Sequence, residues 1–137
     1  MKNIDEKFSP YGVLVLRVGL GTMWLAHALL KFFVYTIPGF AVWLNSQGLP
    51  GSLAWPVFIL ETTGGLAIIL GLYGRYAALL LIPVLLVASW THFPNGWLHT
   101  SQGGGWEYPV FLVFASLAYG LIGDGVFAVR PRSVLSK

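Results

Sequence analysis

Four long apolar stretches, separated by short breaks rich in glycine, proline and polar residues, set the pattern of this chain. After a polar leader, 1–10, the first stretch predicts a helix over about 11–35, long enough to cross a bilayer with some tilt. Pro10 is expected in its first turn, where a missing N–H costs nothing. Pro38 and Gly39 end that helix. Residues 40–44, with Trp43, read as a short interfacial turn of helix stopped by Gln47, Gly48 and Pro50. The second stretch predicts a helix over about 53–72, and the third over about 75–91. Their connection is so short that the two must be antiparallel neighbours. Pro83 lies mid-span in the third helix and should bend it. Residues 92–105 are a loop of Gly, Asn, Pro and Ser. The fourth helix covers about 106–122 and stops at Gly123, Asp124 and Gly125. The expected organisation is a leader (1–10), one four-helix domain (11–125) and a basic tail (126–137). No internal repeat is evident.

Composition turns this pattern into a class. Of 137 residues, 56% are hydrophobic and 9% are charged, against about 25% charged in a soluble domain. Mean hydropathy is +0.74. Too little polar material remains to clothe a soluble core, so the fold class is all-α, an integral membrane four-helix bundle embedded in lipid. The net charge of +3 comes without a basic cluster on a soluble face, which argues against nucleic-acid binding. The absence of cysteine excludes disulfides, thiol redox chemistry and cysteine-ligated iron–sulfur clusters within this chain. The N-terminus mixes charges ahead of an apolar run too long for a secretory signal.

Four spans bring both termini to one side. That side collects Lys2, Lys7, Arg75, Arg130, Arg132 and Lys137, whereas the two opposite loops hold no lysine or arginine. The positive-inside rule then makes both termini cytoplasmic. Trp43, Trp55, Trp90, Trp97 and Trp106 fall near the opposite face and read as an interfacial belt.

This topology also sets the depth of each ionisable residue. At 1.5 Å per residue, Lys31 lies about 6 Å, His27 about 12 Å and Glu61 about 9–12 Å below the outer face. His92 leaves the third helix at that face, and Glu107 enters the fourth there. His27, Lys31, Glu61, His92 and Glu107 are therefore the candidate pocket. His27 and Lys31, four apart, share one helix face. Two readings compete. In one, Lys31 and Glu61 are an ion pair that orders the helices and His27 is a satisfied core residue. In the other, the group lines a polar pocket for a small anion or a quinone-type headgroup, since ionisable groups inside membranes are functional candidates. Arg17 and Arg75 belong to the other side, with Arg17 expected to snorkel to the inner interface. A bis-histidine haem on His27 and His92 is disfavoured by their unequal depths. A metal site lacks ligand spacing, because His92 and His99 are seven apart in a loop. Gly64 and Gly65, like Gly19 and Gly21, read as close helix contacts.

Several short motifs occur in a telling order. Arg17 and Gly19 precede His27-Ala-Leu-Leu-Lys31-Phe32; then come Glu61-Thr-Thr-Gly64-Gly65 and Leu70-Gly71-Leu72-Tyr-Gly-Arg75; Gly105-Trp-Glu107-Tyr-Pro109 opens the fourth helix and Gly123-Asp-Gly125 closes it. This arrangement, from residue 11 to 129, resembles the DoxX family of small four-helix bacterial membrane proteins. Two positions depart from it. Ala28 stands where a glycine commonly follows the histidine, and an aspartate often found near Ala128-Val129 is missing. The resemblance implies a bacterial inner-membrane protein linked to quinone-level redox chemistry. Related DoxD proteins resemble subunits of thiosulfate:quinone oxidoreductase, which implies a soluble or membrane redox partner and a quinone as the diffusible cofactor. The competing expectation is a non-catalytic assembly factor, docking module or small transporter.

Overall fold

A computed structural model describes residues 3–129, and every regular element among them is helical. Helix α1 (Ile4–Leu29) runs directly into a π-helical turn, Leu30–Val34. Helix α2 (Ile37–Ser46) is short. A 3-10 turn at Gly51–Leu53 leads into α3 (Ala54–Leu70), which is followed by α4 (Gly74–His92). Another 3-10 turn, Phe93–Asn95, opens the loop that ends at α5 (Glu107–Ile122).

Helix α1 begins earlier than the apolar pattern predicts. The Asn3 side chain accepts the Ile4 N–H at 2.8 Å, and Asp5 and Glu6 occupy the first turn. That is a capped start with acidic residues where the helix dipole favours them. Residues 4–10, read as a leader, are therefore helical, and Pro10 lies inside α1 rather than in its first turn. The carbonyl that Pro10 cannot engage belongs to Glu6, which is exposed and free to bond water. Of the expected tail, Arg130, Arg132 and Lys137 lie outside the described residues.

Helix α1 packs on α3, α3 on α4, α4 on α5, and α5 back on α1. The α1–α3 contact depends on bare backbone. A Cβ on Gly21 would sit 2.9 Å from the Gly65 carbonyl oxygen, and one on Gly65 would press on Trp24. Gly64 does the same on the other side of α3, where a Cβ would reach Leu81 of α4 at 2.7 Å. Small residues let helices approach closely in lipid, where packing replaces the hydrophobic drive. The main core joins Val13, Leu20, Trp24, Ile68, Ala78, Leu81, Leu85 and Tyr119. A second cluster, Ile37, Phe40, Leu44 and Ala54, fastens α2 across the start of α3.

The outside is as apolar as the core. Val15, Ile59, Leu80, Phe111, Phe114 and Leu121 are all exposed. Three stretches, Ile4–Val34, Gly51–Leu70 and Gly74–Asn95, are long and apolar enough to cross a membrane, and Glu107–Ile122 is a shorter apolar helix. Exposed apolar helix faces of this extent are stable only against hydrocarbon. The chain is a membrane protein. At 16 residues, α5 measures about 24 Å.

Candidate functional site

Of the five residues expected in one pocket, Lys31 and Glu61 bond each other, whereas His27, His92 and Glu107 each bond elsewhere. Axial rise predicts how deep a residue lies but not which way it faces, and facing is what divides them.

Lys31 and Glu61 meet. The Lys31 ammonium donates to both carboxylate oxygens, at 3.1 Å to Oε1 and 2.9 Å to Oε2. Glu61 is 3% exposed and the Lys31 side chain 16%. Lys31 lies on the π-helical turn, and Glu61 lies one turn before the glycine pair of α3. Those glycines draw α1 and α3 close, which is why a lysine and a glutamate thirty residues apart touch. The ring of Phe40, carried by α2, lies 5.3 Å from the ammonium and faces it with π density.

His27 is half-buried one turn below Lys31. Its Nδ1 donates to the Met23 carbonyl at 2.9 Å, within its own helix. Its ring stacks on Tyr108 of α5, with centroids 6.0 Å apart. The Tyr108 hydroxyl donates to the Met23 sulfur. His92 does not join the pair. Its Nδ1 donates to the Ala88 carbonyl at 2.8 Å and its ring lies 6.4 Å from Trp43.

Glu107 also stands apart, because its partner is in the loop before α5. Its Oε1 accepts the His99 backbone N–H at 2.7 Å and the His99 Nδ1 at 2.8 Å. His99 sits at a loop position with no helical periodicity, so no pattern places it beside Glu107. Both residues line an open groove of about 480 Å³, together with Trp97, Tyr108, Val110, Phe111 and Phe114.

The opposite end of the helices holds a cluster that residue types alone do not reveal. Arg17 does not snorkel; it is 2% exposed. Its Nη1 donates to the Asp124 carbonyl at 2.6 Å. Gly71, at φ +68°, leaves room for it, since a Cβ there would stand 2.5 Å from that Nη1. The Asp124 carboxylate accepts the Tyr119 hydroxyl at 2.5 Å and the Arg75 backbone N–H at 3.1 Å. The second bond is a helix cap supplied in trans. Tyr73, the residue before α4, is left-handed at φ 51° and offers no side-chain cap. Arg75 in turn donates through Nη2 to the Leu121 carbonyl at 3.0 Å. Val129 N–H reaches the Leu70 carbonyl at 2.8 Å, so the segment after α5 lies back across the end of α3. The signal for Asp124 was its bracketing by Gly123 and Gly125, both at positive φ, which marks an aspartate held in a tight turn.

A curated relative from Bacillus subtilis (strain 168), named "Putative oxidoreductase CatD", is 29% identical to this chain over 126 residues, spanning 92% of this chain and 90% of its own. No solved structure matches the chain. The DoxX family profile matches residues 12–94, a stretch that holds Arg17, His27, Lys31, Glu61, Arg75 and His92 and most of the three long apolar helices. The chain belongs to the DoxX family.

Proposed function

We propose that this chain is a bacterial inner-membrane subunit or accessory of a quinone-linked oxidoreductase, with thiosulfate the first electron donor to test. The observation that carries the reading is the Lys31–Glu61 pair, with Glu61 buried and Lys31 partly so, on helices long and apolar enough to cross a membrane. Such groups are costly in lipid and mark functional sites by default. The name of the Bacillus subtilis relative points the same way. With no cysteine in the chain, the redox centre is assigned to a soluble or membrane partner. In this reading Glu61 handles protons, Lys31 holds an anion or a quinone oxygen, and His27 assists proton transfer. Quinol formation by the purified protein, alone and with copurified partners, tests it. No turnover and no quinone binding under any partner condition would retire it.

A second reading, a non-catalytic assembly or docking module, is favoured by one detail. Both Glu61 oxygens are already taken by Lys31, as a structural pair requires. A folded Lys31→Met/Glu61→Gln double variant separates the two: it retains activity if the pair is structural and loses it if the pair is functional.

The accompanying topology is a four-helix transmembrane bundle with both termini cytoplasmic, supported by the placement of lysine and arginine. Reporter fusions at Ser136 and Gly74 should report cytoplasm, and a fusion at Asn95 the outer face. A cytoplasmic signal at Asn95 contradicts the four-span arrangement.

A further inference from the structure

We propose that the groove along α5, rather than the Lys31–Glu61 pair, receives the headgroup of a membrane quinone, with His99 at its polar end. The inference rests on the quinone-linked reading above for the class of ligand, and moves the headgroup from Lys31 to the groove.

The argument starts from what the Lys31–Glu61 pair lacks. Its carboxylate has no oxygen free of the ammonium, and Phe40 covers that ammonium. The α5 groove is the reverse, open and partly unsatisfied. Both hydrogen bonds to the Glu107 side chain use Oε1, and both come from His99. That arrangement holds the imidazole by its Nδ1–H and leaves Nε2 for a ligand. The His99 side chain is 73% exposed. A neutral ring with its proton on Nδ1 accepts at Nε2; the protonated ring, steadied by Glu107, donates there. One nitrogen can thus accept from a quinol hydroxyl and donate to a quinone carbonyl.

The walls fit the rest of such a molecule. Trp97, Tyr108, Phe111 and Phe114 supply four aromatic rings for a planar head to lie against. Tyr108 is braced from behind by His27 and by its bond to the Met23 sulfur. Phe111 and Phe114 are each 67% exposed, and exposed Leu117 and Leu121 continue the apolar face along α5. A polyisoprenoid tail can leave sideways into lipid with no gate to open.

Charge decides against the commonest alternative occupant. The groove lining contains a carboxylate and no lysine or arginine, so a phospholipid phosphate would meet repulsion at the rim. A quinone head is neutral and carries no such cost.

The test uses the full chain in phosphatidylcholine vesicles with an azido-benzoquinone bearing a short isoprenoid tail. Light should attach the label to the segment spanning Trp97 to Phe114. His99→Ala, an exposed change that leaves the melting temperature in place, should cut saturable labelling by about tenfold, as expected for one lost hydrogen bond. Phe114→Ala should also lower it, and excess phosphatidylglycerol should not compete. Saturable labelling on α1 or α3, unchanged by His99→Ala, overturns the groove while leaving the quinone-linked reading standing. No saturable labelling anywhere removes both. Competition by phosphatidylglycerol makes the groove a lipid site and also overturns the proposal.

Discussion

The two ends of this protein keep charge inside an apolar fold by opposite means. At one end, Lys31 and Glu61 neutralise each other directly, side chain to side chain, beneath Phe40. At the other, the Arg17 guanidinium is bound by a peptide carbonyl, while the Asp124 carboxylate serves a tyrosine hydroxyl and the first turn of α4. The first is a pair and depends on two residues alone. The second is a hub: Asp124 and its backbone tie together α1, α4 and α5, each through a different bond. A pair can be replaced as a unit because its members answer only to each other. A hub has no such complementary change, because removing its centre orphans unlike groups on separate helices.

The largest expected effect tests the hub. Asp124→Ala strips the cap from α4 and leaves the buried Tyr119 hydroxyl without its acceptor, a combined loss of about 4 kcal/mol. Unfolding in mixed detergent measures it. Adding Tyr119→Phe should return only the hydroxyl's share, because the cap stays lost, while the Arg17 bond to the backbone carbonyl survives in both variants. Full rescue by one second substitution would reduce the hub to a pair.

The next effect tests the pair. Lys31→Met leaves Glu61 buried and uncompensated, at about 3 kcal/mol, the low end of the range because part of the lysine reaches the surface. Glu61→Gln should cost less, since an amide still bonds. The double variant should recover most of the loss. Additive melting shifts in this cycle would show that the two residues do not couple.

A smaller effect falls again at the hub. Gly71→Ala forces a left-handed alanine against Arg17 and Ala128, and should cost about 2 kcal/mol. Gly19→Ala gives the scale. Gly19 faces outward on α1 with nothing within 4 Å of an added Cβ, so alanine should stabilise by up to about 1 kcal/mol. A destabilised Gly19→Ala would mean that another surface packs there.

The contrast between pair and hub also explains what could be read from the residues in order. Helix positions followed from the apolar stretches because lipid demands long uninterrupted runs. The meeting of Lys31 with Glu61 was within reach of counting residues, since both sit on long helices at similar depth and the glycines named the contact. Glu107 was placed with them by the same counting, but its partner His99 lies in a loop where depth has no meaning. Arg17 was misjudged for a different reason. Its acceptor is a backbone carbonyl 107 residues away, and backbone acceptors leave no trace in residue types. The early start of α1 was hidden by Asp5, Glu6 and Lys7, which look like a polar leader although Asn3 caps a helix there.

The short reach of α5 has a consequence for the lipid itself. Hydrocarbon in an ordinary bilayer is about 30 Å thick, some 6 Å more than α5 covers, whereas α1 overfills it. A membrane answers such mismatch by thinning beside the short element and tilting the long one. If α5 spans the bilayer, as in the four-span arrangement proposed above, acyl chains next to Phe111, Phe114 and Leu121 are compressed, and those beside α1 need not be. So placed, the protein carries a thin side and a thick side, and shorter acyl chains should gather beside α5.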